Sequence, residues 1–89
     1  MDEKIIAMLE ARLRTLNSRG EDVLRDEMHL RTVAYMLGDV LLPMCCMVCN
    51  IAKLEQLLAG TTLCKENEDL RSRLARLIYD YLARCKGLG

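Results

Sequence analysis

The chain contains no phenylalanine and no tryptophan, and its aromatic residues are the three tyrosines Tyr35, Tyr79 and Tyr81. Aromatic and β-branched side chains are typical of β-sheets, whereas leucine, methionine and alanine favour helices. With one proline and five glycines in 89 residues, of which 52% are hydrophobic, the chain is neither collagen-like nor a low-complexity disordered segment. The composition therefore predicts a single all-α domain over residues 1–89.

The N-terminal sequence lacks the pattern of a secretory signal. Met1-Asp2-Glu3-Lys4 is acidic where a signal peptide carries basic residues followed by an apolar stretch. We therefore expect a cytoplasmic or nuclear protein, in which the five cysteines are reduced thiols rather than a disulfide framework.

Groups suited to catalysis are scarce. The chain has one histidine, His29, six serine or threonine residues and no glycine-rich turn between a strand and a helix. Nucleophilic catalysis needs a nucleophile, a base and an orienting group in one place. The sequence therefore predicts no enzyme activity, no catalytic residue and no cofactor.

Cysteines form the sharpest local pattern, Cys45-Cys46-x-x-Cys49, with Cys64 and Cys85 further along the chain. Zinc is usually held by two Cys-x-x-Cys pairs on turns, and here a second pair is missing and the cluster lies in an apolar run. Buried cysteine behaves as a small hydrophobic residue. We therefore expect structural thiols and no metal site, with metal or redox chemistry as the alternative.

Three helices are predicted, over residues 2–18, 22–59 and 62–86, each followed by a glycine that can end a helix. In the first, Ile6, Leu9, Leu13 and Leu16 follow helical spacing.

The second helix has the longest regular pattern, with apolar residues at alternating steps of three and four. The residues of this seam are Leu30, Val33, Leu37, Val40, Met44, Met47, Ile51, Leu54 and Leu58. Its middle, residues 40–52, carries no charge and is apolar on all sides. These thirteen residues are too few to span a bilayer, which takes about twenty. The pattern indicates a helical bundle, and we expect no membrane contact.

Pro43 interrupts the second helix, because proline lacks a backbone donor and its ring clashes with the preceding turn. The apolar spacing keeps its phase across Pro43, which favours a kinked but continuous helix. The alternative is a break at Gly38, with Asp39 capping a new helix.

In the third helix Leu63, Leu70 and Leu77 repeat every seven residues, as in a leucine zipper, with Asn67 at an alternate core position. Packing against the second helix is favoured over an independent zipper. Lys65-Glu66-Asn67 resembles the KEN degradation signal that the anaphase-promoting complex reads, but we expect these residues to serve the third helix.

A partner is implied by the length of the second helix. At about 1.5 Å per residue it would extend about 57 Å, and one copy of the other two helices could not cover its apolar middle. We therefore expect a bundle completed by homodimerisation or higher assembly through the seam residues, with a two-fold axis near Met44 and Met47. A helix of another protein is the alternative occupant. The predicted function is that of a non-enzymatic oligomerising interaction module, such as an adaptor or regulatory subunit.

Nucleic acid is the alternative partner. Although the net charge is zero, the last 21 residues carry five basic and two acidic residues. The candidate contacts to duplex RNA are Arg71, Arg73, Arg76, Arg84 and Lys86. However, Asp69 precedes Arg73 by four residues and Asp80 precedes Arg84 likewise, the spacing of ordinary ion pairs on an exposed helix.

Overall fold

The computed structural model describes the backbone of residues 2–18 and 26–87 and, within these ranges, all side chains except those of residues 17, 18, 45 and 46. The elements are α1 (Asp2–Ser18), α2 (Glu27–Leu41), a 3-10 turn (Leu42–Met44), α3 (Cys45–Val48), α4 (Ile51–Leu58) and α5 (Glu68–Cys85). The prediction of an all-helical fold is confirmed, and no strand occurs in the described residues. Residues 22–25, predicted to begin the second helix, lie outside the description.

The prediction of a continuous helix up to residue 59 is wrong. α2 ends at Leu41, and a 3-10 turn containing Pro43 follows, because proline has no N–H to donate to the carbonyl of Asp39. The last hydrogen bond of α2 runs from the Leu42 N–H to the Gly38 carbonyl. The alternative prediction of a break at Gly38 is wrong as well, since Gly38 lies within α2.

A second break lies at Asn50, between α3 and α4. Asn50 has an extended backbone (φ −155°, ψ 126°), and its side-chain oxygen accepts a hydrogen bond from the Lys53 N–H at 3.1 Å. This is the geometry of an N-cap, in which a polar side chain satisfies one of the unpaired donors at a helix start. A new helix axis therefore begins at Ile51.

α5 begins at Glu68, six residues later than the predicted start at residue 62. The preceding residues form turns, in which buried Thr61 donates its hydroxyl to the Leu58 carbonyl at 2.7 Å. Asn67 caps α5 by accepting from the Leu70 N–H at 3.0 Å. The predicted core position of Asn67 is therefore wrong, and its side chain is exposed.

α5 packs against α2 and α4, and α1 packs against the same two helices. The core takes side chains from α1, α2, α4 and α5 and from the segments between them. Its fully buried larger members are Leu9, Leu37, Leu41, Leu54, Leu57, Leu58, Leu74, Ile78, Leu82, Val48, Thr61 and Cys64. Packing of α5 against α2 agrees with the favoured alternative to an independent zipper.

Two polar contacts connect α1 to α4 and to the turn that follows α4. The Lys53 Nζ lies 2.7 Å from the Asp2 carboxylate, and a Glu10 carboxylate oxygen accepts from the Thr62 N–H at 2.7 Å. Both contacts join α1 to α4 or to the turn that follows it.

The described chain encloses its core within one copy. Its longest dimension is 33 Å and its radius of gyration is 11.9 Å, close to the value of about 12 Å expected for a compact domain of this length. A helix of about 57 Å would not fit these dimensions. The bends at Pro43 and Asn50 instead bring α4 back onto α5, so one copy buries Leu54 and Leu58 itself. Completion of the bundle by a second copy stays a prediction.

Candidate interaction surfaces

The structure divides the nine predicted interface residues into two groups. Five are buried within the single chain: Leu30, Val33, Leu37, Leu54 and Leu58. The other four are accessible, since Val40, Met44 and Ile51 are half-buried and the Met47 side chain is 50% exposed. Only the second group can contact another molecule without opening the core, and all four of its members lie within residues 40–52.

We refer to residues 40–52 as the uncharged segment. Leu41 and Val48 anchor it, because both are fully buried. Pro43 and Met47 are exposed between these anchors, Ala52 is exposed beyond Val48, and Leu42 and Cys49 are half-buried. The segment therefore has one face in the core and a second, apolar and charge-free face that the chain itself covers only in part.

The basic residues of α5 do not form a continuous cationic surface. Arg73 Nη2 lies 2.6 Å from a Glu27 carboxylate oxygen on α2, and its Nη1 lies 3.9 Å from Asp69. Arg84 Nε donates to the Asp80 carbonyl at 3.4 Å. Arg73 is thus engaged with acidic side chains, and acidic residues lie between the cations along the helix.

The remaining predicted nucleic-acid contacts differ in accessibility. Arg76, Arg84 and Lys86 are exposed, whereas Arg71 is half-buried beside the turn that contains Cys64. Three accessible cations remain toward the C-terminal end of α5.

The cysteines whose side chains the structure describes lie in different environments. Cys64 is fully buried, and this burial raises the pKa of its thiol; Cys49 is half-buried and Cys85 is exposed. Within the described part of the chain, no three His, Cys, Asp or Glu side chains are arranged to hold a metal ion. The side chains of Cys45 and Cys46 lie outside this description, so the assignment of structural thiols stays a prediction.

One particular contact between α2 and α5, that of Tyr81 with Gly38, was not predicted from the sequence. The Tyr81 ring packs on Gly38, where an added Cβ would lie 2.9 Å from Cε2 and closer still to Cδ2. The same ring lies 5.1 Å from the Tyr35 ring, centroid to centroid. Gly38 inside an apolar helical pattern was the available signal, because glycine in a helix interior costs about 1 kcal/mol and often has a packing reason.

The hydroxyl of Tyr81 extends this contact to the surface. It donates a hydrogen bond to the Asp39 carboxylate, which raises the pKa of the phenol above its ordinary value, and partial burial acts in the same direction. The phenolate could not donate to a carboxylate and would repel it. Tyr81 therefore stays protonated at neutral pH and joins α2 to α5.

The turn between α4 and α5 presents a run of exposed residues. Lys65, Glu66 and Asn67 are all exposed, and they line a shallow depression of about 340 Å³ together with Thr62 and Leu63. The expectation that these three residues serve the third helix holds for Asn67, which caps α5, and is wrong for Lys65 and Glu66, which precede the helix in a turn.

None of the helices in the described ranges combines the length and hydropathy needed to cross a membrane. Comparison of the chain with protein-family models, curated proteins and solved structures yields no match.

Proposed function

We propose that the chain is a non-enzymatic helical interaction module that binds a second copy of itself through the uncharged segment. The observation that carries this proposal is the set of accessible apolar side chains Pro43, Met44, Met47 and Ala52, in a stretch of thirteen residues without a charged side chain. Apolar surface of this kind on a small protein is typical of a contact site.

The absence of charge in the uncharged segment favours a second copy as the partner. In a two-fold interface, each residue near the axis faces the same residue of the other copy, so a charged residue there meets its own charge. The uncharged segment avoids this repulsion. Elsewhere the described surface is rich in charge; Met28, for example, lies between Glu27 and Arg31 on α2.

Met47 is the centre of the proposed contact. Its side chain is 50% exposed on α3, and the neighbouring Pro43 and Met44 are also apolar and at least partly accessible. Methionine is flexible and polarisable, which lets it fill the irregular space between two short helices. Leu37, Leu54 and Leu58 are buried within the single chain and do not take part in the proposed contact.

Duplex nucleic acid is supported less well as a partner. Of the five predicted contacts, Arg73 is held by Glu27 and Asp69, and Arg71 is half-buried. Phosphate contacts supply most of the affinity in such complexes, so loss of two cations weakens this alternative.

Met47→Asp tests the proposal. The substitution places a carboxylate on a side chain that one copy leaves 50% exposed, so each chain keeps its fold. In the dimer it would bring two carboxylates together in an apolar contact, which costs several kcal/mol. We expect the unmodified chain to show twice its mass of 10.2 kDa in light scattering, and Met47→Asp to show the monomer mass.

Met28→Asp is the matched control, because Met28 is 77% exposed and lies outside the uncharged segment. Its acidic replacement lies in the first turn of α2, where a negative charge is tolerated. It should remain dimeric. A mass of 10.2 kDa for the unmodified chain at every concentration would contradict the proposal, and a dimeric Met47→Asp would contradict the choice of surface.

A further inference from the structure

The sulfur of Met47 is accessible to small reagents when the chain is alone. The Met47 side chain is 50% exposed on α3, whereas Met36 and Met44 are half-buried. Oxidants convert the thioether of methionine to a sulfoxide, and an accessible sulfur reacts more readily than a covered one. Met47 is therefore open to this reaction, as are Met8 and Met28, which are 44% and 77% exposed.

The stretch of chain around Met47 offers no strong hydrogen-bond donor on its side chains. From residue 40 to residue 49 no side chain carries an N–H or O–H group, and the S–H groups of its cysteines are weak donors. A sulfoxide oxygen is a polar acceptor, which needs such a donor once water is excluded. An oxidised Met47 is therefore stable at a hydrated surface and unfavourable in an apolar contact.

A two-fold contact strengthens this effect. The argument rests here on the proposed function, in which Met47 is the centre of the contact between two copies. Residues near the axis face their own counterparts, so two sulfoxide oxygens would lie close together, and neither can donate a hydrogen bond to the other. One unpaired buried acceptor weakens association about tenfold, so two should weaken it about a hundredfold.

We propose that Met47 is an oxidative modification site that controls the association of the two copies. Hydrogen peroxide transfers one oxygen atom to the Met47 sulfur: an S–O bond forms as the O–O bond breaks, the sulfur loses two electrons and the peroxide is reduced to water. Because the dimer covers this sulfur, the reaction takes place on the free chain and removes it from the pairing equilibrium. Methionine sulfoxide reductases regenerate the thioether and restore association.

The test measures the dissociation constant of the dimer by analytical ultracentrifugation, before and after the full chain is treated with dilute hydrogen peroxide. Excess dithiothreitol then returns disulfides and sulfenic acids to thiols, so that Cys49 and Cys85 are again reduced while the sulfoxide remains. Peptide mass spectrometry locates the added oxygen, and circular dichroism checks that the fold is retained. The dissociation constant should rise about a hundredfold, and reductases for both sulfoxide epimers should return it to its first value.

Met47→Leu is the decisive variant, because leucine is apolar, has no sulfur and leaves every thiol in place. It should pair before treatment, and peroxide should leave its dissociation constant unchanged. Met28→Leu is the matched control, since it removes a 77% exposed sulfur outside the uncharged segment. Its association should be as sensitive to peroxide as that of the unmodified chain.

Oxygen addition at Met28 serves as an internal reference for the reaction at Met47. The ratio of the Met47 rate to the Met28 rate should fall as the chain concentration rises, because pairing covers only Met47. A dimer that persists with Met47 fully oxidised would overturn this proposal and leave the proposed function standing, as would a Met47→Leu variant that peroxide still dissociates. An unmodified chain that is monomeric at every concentration would overturn both.

Discussion

Residues 27–41 and residues 42–58 have the same alternating three-four spacing of apolar residues, yet the first range is one helix and the second is a 3-10 turn followed by two short helices. Both ranges place leucine fully inside the core, Leu37 in the first and Leu54 in the second. The difference lies in the backbone. Pro43 lacks a donor, and Asn50 offers its own side chain to the N–H groups of a new helix. Apolar spacing thus decides which side chains are buried, and Pro43 and Asn50 mark the positions at which the helix axis can turn.

The breaks also separate two roles within the second range. Val48 and Leu54 point into the core, while Pro43 and Met47 are exposed. A continuous helix would carry both groups away from α5. Because the chain bends at Pro43 and Asn50, Val48 and Leu54 are buried in the core while Pro43 and Met47 stay exposed on the surface.

The largest expected effect comes from removing core leucines in either range. Leu37→Ala and Leu54→Ala each delete a fully buried side chain, and each should reduce the free energy of unfolding by about 2–5 kcal/mol. Urea unfolding monitored by circular dichroism measures this. Met28→Ala, at a 77% exposed position, should change stability by less than about 0.5 kcal/mol. A Leu54→Ala variant as mild as this control would show that the second range is not part of the cooperative core.

The spacing of apolar residues indicated which side chains are buried, but it did not indicate where the helix axes point. Leu30, Val33, Leu37, Leu54 and Leu58 were predicted to lie in an oligomer interface, and they are buried within the single chain. Periodicity describes the angle of a side chain around its own helix, and it carries no information on where that helix points. Because the spacing keeps its phase across Pro43, nothing in the pattern distinguishes a kink from a reversal. For the same reason, the burial of these five residues was assigned to a second copy, whereas the chain buries them itself.

The roles of Gly38 and Asn67 could not be predicted from the sequence either, because they depend on contacts with other parts of the chain. Gly38 was interpreted as a possible break, whereas its role is to admit the Tyr81 ring, 43 positions away in the chain. Asn67 was placed in a core by its heptad position, although asparagine is equally suited to cap a helix. The local sequence pattern does not distinguish these roles, because they depend on where α5 begins and on which residues it packs against.

An intermediate effect is expected at Gly38. Alanine has the higher helix propensity by about 1 kcal/mol, but its Cβ would overlap with the Tyr81 ring. Overpacking of this kind costs about 1–3 kcal/mol, so Gly38→Ala should lower stability in urea unfolding. In a Tyr81→Ala background this steric overlap is absent, and Gly38→Ala should raise the free energy of unfolding by up to about 1 kcal/mol. If Gly38→Ala stabilised both backgrounds alike, the ring would not explain the glycine.

The smallest effect is expected from Pro43→Ala, which asks whether proline alone imposes the break. Alanine restores an N–H that could bond to the Asp39 carbonyl and extend α2. A straight extension, however, would take Val48 and Leu54 out of the core, and exposing each costs about 1.5–3 kcal/mol. The free energy lost by exposing these two side chains exceeds the gain from one recovered hydrogen bond, which is about 1 kcal/mol. The variant should therefore keep the bend, with stability within about 1 kcal/mol of the unmodified chain. Small-angle scattering at matched concentration should give an unchanged radius of gyration, whereas a clear increase would mean that Pro43, rather than the core, holds the two ranges apart.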